Sequence, residues 1–386
     1  MSERGTLLLC EPPDTPGHLL DRDKAGGLGT ADRRRPGMLP STPPLDLMYA
    51  AAVAEARGHP TAVVDAALEG WDVARAAGEV ASRRPDLVGV RLALPSLRGD
   101  LALANAVKEA LPRATVFLFG AVVKTTLPLW ARESRADLVL YGEAETVLPG
   151  VLEALERGER ELPGALGLRQ PPRAAPTWHF NTSMEELPFP AWHLLDLPRY
   201  TASGDPGDFW FYLSASRGCP YACTMCPYYV LQGHKWRSRS AAHVVEELRH
   251  LVRRWGARQV QFRDPAVELN PARLQELCRA VIAAPDLAGP DGRGRVALVM
   301  EGDLEKIQPE TLELMARAGV RRIMTGVESA DPHVLADIGQ PSSYLFRIRQ
   351  NVRRCRELGI AVTGFYMIGA PDERWDSIKR TVAFAL

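Results

Sequence analysis

Over the first 157 residues, short apolar runs alternate with segments whose apolar positions recur every three to four residues. The runs Thr6 to Cys10, Thr61 to Asp65, Leu87 to Leu92, Thr115 to Gly120 and Leu138 to Tyr141 are nearly continuous in apolar character. Such runs predict strands of a parallel sheet buried on both faces. Between them, Leu45 to Arg57, Val73 to Arg83 and Gly99 to Leu111 carry helical spacing, and in the last, Leu101, Ala104, Val107 and Leu111 form one buried stripe. This βαβ repetition predicts an α/β, doubly wound, Rossmann-like domain over residues 1–157. Its ligand loops follow the strands: Glu11 to Pro44, Pro95 to Gly99, Gly120 to Thr126 and Gly142 to Glu145. The first is too long for an ordinary strand-to-helix connection and is expected to be a functional or disordered loop. Its Gly26-Gly27-Leu28-Gly29 resembles a phosphate loop only superficially, with no strand close before it and no helix after it.

Residues 158–207 hold eight prolines together with Trp178, Trp192 and Tyr200, which predicts a Pro-punctuated linker with docked aromatics. Alternation then resumes in five strand-helix units. The strands are Phe209 to Ser216, Gln259 to Arg263, Arg295 to Glu301, Arg322 to Gly326 and Ala361 to Gly369. The helices are Ala241 to Arg254, Pro271 to Ala284, Pro309 to Ala318, Ser343 to Leu358 and Glu373 to Ala385. Residues 208–386 are therefore expected to form a partial α/β barrel, whose chemistry sits at the carboxyl ends of the strands. Cys219, Asp264, Glu301, Glu328 and Gly369 each end or follow a strand.

Charge removes some possibilities. Basic and acidic residues balance at 47 each, so no net field steers the chain toward nucleic acid or an anionic membrane surface. No apolar run approaches the ~20 residues of a membrane span, and Leu7 to Cys10 is too short for a signal-peptide core. A cytoplasmic protein is expected. Six cysteines in 386 residues make a disulfide scaffold improbable, and three of the six lie together.

Those three are Cys219, Cys223 and Cys226, spaced Cys-x3-Cys-x2-Cys in Ser-Arg-Gly-Cys-Pro-Tyr-Ala-Cys-Thr-Met-Cys-Pro, directly after the first barrel strand. Three thiolates at this spacing can wrap one metal centre, and they are one short of the four that normally hold a cubane of four irons. The alternative is a zinc site completed by His234, although Cys-x3-Cys is less regular for zinc and no second pair follows. Cys10, Cys278 and Cys355 fall on strand or helix patterns and are expected to be small buried hydrophobes.

This three-Cys motif after a barrel strand resembles that of the radical S-adenosylmethionine (SAM) superfamily. The doubly wound domain before it is similar to that of the cobalamin-binding subgroup, the class B methylase-like enzymes. Softer matches to the subgroup are Pro-Pro-Leu-Asp-Leu-Met-Tyr-Ala-Ala-Ala-Val-Ala-Glu at 43–55, Gly-Ala at 120–121, Tyr-Gly-Glu-Ala-Glu at 141–145 and Lys-Trp-Arg-Ser-Arg-Ser at 235–240. The resemblance implies a [4Fe–4S] cluster on Cys219, Cys223 and Cys226, with its fourth iron open to the amino and carboxylate groups of SAM. One electron then yields a 5′-deoxyadenosyl radical. It also implies nucleoside contacts from Asp264, Glu328, Ser329, Met367 and Gly369 at later strand ends, and from Met225 before the third cysteine. Taken singly, Asp264 before Pro265 could make a turn and Glu328 could cap a helix.

Cobalamin is implied for the N-terminal domain, with Ser96, Gly120, Ala121, Gly142 and Glu143 in the loops that cradle the corrin. Small residues there let a flat macrocycle approach backbone. No Asp-x-His-x-x-Gly cobalt-ligating loop occurs: Asp14 precedes His18 at the wrong interval. Relatives often carry Arg after the third barrel strand, where this chain reads Glu301-Gly302-Asp303, and the family barrel has six units where five are counted here. The C-terminal portion is accordingly expected to be short.

The implied activity is methylation of an unactivated carbon of a small molecule, such as a secondary metabolite or a lipid precursor, with corrin and cluster on either side of the substrate. Flavodoxin or ferredoxin would donate the electron, and neither nucleic acid nor a membrane span takes part. The rival readings are oxidative cyclisation or rearrangement without methyl transfer, and a non-catalytic corrinoid-binding or degenerate module. No catalytic acid or base is identified from the sequence.

Overall fold

The computed structural model describes residues 5–386 apart from 40, 160, 169–176, 290–292, 342 and 372. The chain divides into two compact units, one of residues 1–205 with 227–233 and one of 206–226 with 234–386.

In the first unit, β1 (Leu7–Glu11), β4 (Thr61–Asp65), β5 (Leu87–Arg91), β6 (Thr115–Phe119) and β7 (Leu138–Leu140) pair in parallel in the order β4-β1-β5-β6-β7. Every residue of β1 and β5 is buried, which accounts for their unbroken apolar sequences. Helices Val73–Ser82 and Leu97–Ala110 pack on each other, as do Leu45–Ala56 and Ala144–Glu156, giving one helix pair for each sheet face. The strands and helices expected from the apolar pattern are thus observed within a few residues of their anticipated ends.

The long loop after β1 is a correction. It is neither irregular nor featureless: β2 (His18–Asp21) and β3 (Thr30–Arg33) pair antiparallel within it. The Gly-rich stretch is therefore preceded by a strand after all, but it forms the turn of a hairpin. Ala25, Gly26, Gly27 and Gly29 have φ of 53°, 70°, 88° and 89° there.

A buried charge network fixes this hairpin. Arg22 donates to Glu11 (3.2 Å), Asp100 (3.3 Å) and the Pro13 carbonyl (2.9 Å), while Arg91 donates to Glu11 (3.3 Å) and Asp23 (2.5 Å). Both guanidinium side chains are at most 2% exposed. Burial pushes the carboxyls of Asp100 and Asp14 up to about 6 despite Arg22.

Of the Pro-rich segment, residues up to 205 are counted with the first unit and 206–207 with the second, while 160 and 169–176 lie outside the described residues. β8 (Ala165–Gly167) adds antiparallel to β7. Trp178 meets Tyr141 edge-on at 5.0 Å, Trp192 is fully buried, and the Tyr200 hydroxyl donates to Asp65.

In the second unit, β9 (Phe211–Leu213), β12 (Gln259–Phe262), β13 (Ala297–Glu301), β14 (Val320–Glu328) and β15 (Ala361–Tyr366) form a parallel sheet in the order β15-β14-β13-β12-β9. Helices Ala241–Trp255, Pro271–Ile282, Pro309–Arg317 and Tyr344–Glu357 connect successive strands, so five consecutive strand-helix units are present with Trp375–Ala385.

Candidate functional site

The cysteine loop is held by its neck. β10 (Ser216–Arg217) pairs antiparallel with β11 (Arg237–Ser238), closing residues 218–236 into a loop. Gly218, at φ 80°, turns the chain out of β10 immediately before Cys219. Asp264, at the end of β12, accepts from the Ala215 amide (2.9 Å) and from the Ser216 hydroxyl, so both its oxygens brace the strand entering the loop. Arg239 braces the return strand: it donates to Glu247 and to the Ser214 carbonyl, and the Arg239–Glu247 pair is at most 2% exposed. Asp264 is therefore engaged by protein on both oxygens.

Cys219, Cys223 and Cys226 are half-buried and form no disulfide, and the Cys226 amide donates to the Cys223 carbonyl (3.1 Å). Burial raises the Cys219 thiol; the Tyr221 amide lowers it, and the neighbouring Cys226 and Cys223 raise it. Among the described residues, no group of three or more His, Cys, Asp or Glu gathers as the ligands of a single ion. A cubane makes a different demand, because its irons occupy separate corners and each takes one thiolate. Cys219, Cys223 and Cys226 stand on one loop pinned by β10 and β11, with Cys223 and Cys226 near enough to raise the Cys219 thiol. Cys10, Cys278 and Cys355 are buried, and burial pushes Cys278 up to about 12 and Cys355 up to about 11, which leaves them as inert core thiols.

Carboxylates gather at the strand ends beside the loop. Glu328 closes β14 with φ 63°, a left-handed conformation that is rare for a residue with a side chain. Its carboxyl is raised by burial and by the charges of Asp303 and Glu301. Glu268, in the turn after β12, is buried with neither carboxylate oxygen in a hydrogen bond; it faces the Glu268 and Asp303 amides outside bonding geometry. Burial and Asp303 push it up to about 7, against the opposing amides and Lys306. Lys306 pairs with Asp303 (3.1 Å) and lies 4.0 Å from the Tyr221 ring, inside the cysteine loop.

Glu268 escapes sequence reasoning because its setting depends on β12 and β13 being neighbours. Its one signal is a carboxylate between Pro265 and Asn270 in a strand-end turn. Ser329 is buried, accepts from the Asp331 amide (3.1 Å) and contacts Thr381 Oγ1 (3.2 Å), so its hydroxyl is tied into the fold. The Met367 amide donates to the Glu328 carbonyl (2.8 Å), Gly369 is exposed with φ 101°, and Met225 is half-buried in the loop. The mouth is acidic, which suits a ligand carrying sulfonium and ammonium charges.

The first unit places the expected corrin-loop residues at the carboxyl ends of β5, β6 and β7. Ser96 donates to Asp100 (2.9 Å). A side chain at Gly120 would sit 2.6 Å from the Leu92 carbonyl, and one at Gly142 would strike Val147 and His179 at 2.5 and 2.7 Å. Close packing of this unit's own chain thus requires both glycines. Ala121 packs beside Gly27, and Glu143 accepts from the Asn181 amide.

The segment following the third cysteine also belongs to this unit. Lys124 donates to the Val230 carbonyl (2.5 Å), Gln232 donates to the Gly26 carbonyl (2.8 Å), and Gly233 lies against Phe180. Tyr228 packs on Gly26.

Residues 39–152 match the B12 binding domain family and residues 213–385 match the Radical SAM superfamily. An uncharacterized methyltransferase, PH0819, from Pyrococcus horikoshii is 27% identical over 353 residues, covering 89% of this chain and 73% of that protein. Cytidylyl-2-hydroxyethylphosphonate methyltransferase from Streptomyces wedmorensis is 25% identical over 386 residues, covering 86% and 69%. The fold is similar to that of the radical SAM methyltransferase TsrM from Kitasatospora setae, solved with cobalamin and a [4Fe–4S] cluster. The TM-score is 0.75 at 20% identity, over 99% of this chain and 72% of that one. With both domains present in this order and the three-cysteine loop at the neck of the second, the chain belongs to the cobalamin-binding radical S-adenosylmethionine enzymes.

Proposed function

We propose that the protein methylates an unactivated carbon of a small molecule. The observation that carries this reading is the joining, in one chain, of a B12-type unit to a pinned loop bearing three cysteines that form no disulfide. When bound, the cluster with SAM supplies a 5′-deoxyadenosyl radical, and cobalamin supplies the methyl group. Cys219, Cys223 and Cys226 would hold the cluster, which has one iron more than there are thiolates on this loop. The β10–β11 neck, braced by Asp264 and Arg239, fixes where those thiolates stand. Glu268 and Glu328 give the mouth the negative charge that orients a sulfonium ligand. Similarity to proteins named as methyltransferases supports methyl transfer over the rival chemistries.

The test is anaerobic reconstitution with iron, sulfide and cobalamin, followed by turnover of candidate substrates with SAM. A product heavier by one methyl group, formed together with 5′-deoxyadenosine and S-adenosylhomocysteine, supports the reading. A product that has only lost hydrogen would assign the protein to oxidative cyclisation instead.

A further inference from the structure

The first unit contains a cavity of about 1020 Å³, lined by parts of two of the expected ligand loops, Pro13 to His18 with Arg34 and Pro95 to Gly99, the second of which carries Ser96. It opens outside the carboxyl ends of β1, β4 and β5, where the sheet order β4-β1-β5 reverses direction. Open α/β sheets bind ligands at this point. Its volume lies at the top of the range of about 300–1,000 Å³ usual for small-molecule sites. The hairpin separates it from the loop after β6, whereas the Pro95–Gly99 loop, with Ser96, borders both the cavity and the expected corrin surface. The Leu94 amide donates to the Leu28 carbonyl (2.9 Å), Gly29 lies against Ala93 and Pro95, and Gly27 lies against Ala121. The hairpin turn therefore sits between the cavity rim and the loop after β6. The cavity lies on the side of helices Val73–Ser82 and Leu97–Ala110, whose first residues help to line it.

The walls are mainly apolar, with Leu68, Trp71, Val73, Leu94 and Leu97. Of the charged groups facing in, the two carboxylates are committed to protein. Asp14 pairs with Arg34 (3.0 Å) and Arg22 (3.6 Å), and Asp72 caps helix Val73–Ser82 by accepting from the Arg75 amide (2.8 Å). Arg98 stands exposed on the rim and is not drawn into an ion pair among the described residues. It sits in the first turn of helix Leu97–Ala110, which has no side-chain cap, so the helix dipole adds to its charge.

We propose that this cavity is a second small-molecule site of the first unit, taking an amphipathic anion. A flat apolar body lies along Leu68, Trp71, Leu94 and Leu97, and the acidic group meets Arg98. Recognition by one guanidinium and a helix N-terminus serves carboxylate, sulfonate and phosphate alike.

The test titrates the reconstituted full chain, with cobalamin and cluster in place, with 8-anilinonaphthalene-1-sulfonate by calorimetry. The neutral N-phenyl-1-naphthylamine serves as the comparison. One equivalent of the sulfonate should bind, and the neutral compound should bind at least fivefold more weakly. Arg98→Glu should weaken sulfonate binding at least tenfold without changing that of the neutral compound. Gly99→Trp, built into open space beside the rim, should abolish binding of both. Each variant should keep the cobalt content and melting temperature of the parent. Sulfonate affinity that is equal in the parent and both variants would overturn the proposal, as would no binding to the parent. Loss of cobalamin in step with loss of the sulfonate would overturn it too, by making the cavity part of the corrin site.

Discussion

Glu268 illustrates how this protein holds charge at its mouth. Its folded-state pKa, about 7, lies above the ordinary 4.5, so the folded chain binds the proton more tightly than the unfolded chain does. Its contribution to stability therefore falls as pH rises from about 4.5 to about 7 and stays low above that. Glu268→Gln is expected to stabilise the cofactor-free protein by up to about 3 kcal/mol at pH 8 and by little at pH 5. The same change should weaken SAM binding. Thermal melts of parent and variant at the two pH values, with SAM binding measured by calorimetry, check both effects; a gain over the parent no larger at pH 8 than at pH 5 would contradict the stated environment. Asp264 makes the opposite case. Asp264→Ala strands the Ala215 amide and the Ser216 hydroxyl, and should cost about 2–3 kcal/mol while lowering the iron taken up per chain. Denaturant melts and iron analysis read these losses, and unchanged cobalamin binding confirms that the damage is local. Of these residues the cysteines were legible in sequence, because their spacing is itself the signal. Glu268 was not, because its isolation arises only when two strand-end turns are brought side by side.

The elements read from the apolar pattern are those whose burial writes a pattern. β1 and β5 are buried throughout and appear as unbroken apolar runs, and helix Leu97–Ala110 buries the stripe of Leu101, Ala104 and Val107. The β2–β3 hairpin escaped because β3, Thr30–Arg33, exposes nearly all its residues and so has no alternation to detect. β8 escaped because three residues carry no period. What holds the hairpin is charge: Arg22 on Glu11 and Asp100. Arg22→Ala leaves Asp100 buried without its guanidinium partner and Glu11 with Arg91 alone, and is expected to cost about 3–5 kcal/mol at pH 7.5. Because Asp14 and Asp100 already sit near 6, the loss should shrink at pH 5.5, where both take up protons. Urea melts of parent and variant at the two pH values measure this, and a pH-independent difference would contradict the network described.

At the scale of the molecule, both α/β units follow from sequence alternation, while the division of labour follows from where each places its unusual residues. Segment 227–233 begins one residue after the third cysteine and is counted with the first unit. A boundary drawn only along the chain misses this, since packing rather than composition decides it.

The most direct measurement is metal analysis of Cys223→Ala beside the parent, after anaerobic reconstitution with iron, sulfide and cobalamin. The parent should hold about four irons and one cobalt and cleave SAM to 5′-deoxyadenosine on reduction. The variant should lose the iron and the cleavage and keep the cobalt. Zinc in place of iron in the parent, or a variant that keeps its iron and still cleaves SAM, would contradict the assignment of the three thiols to an open iron–sulfur cubane.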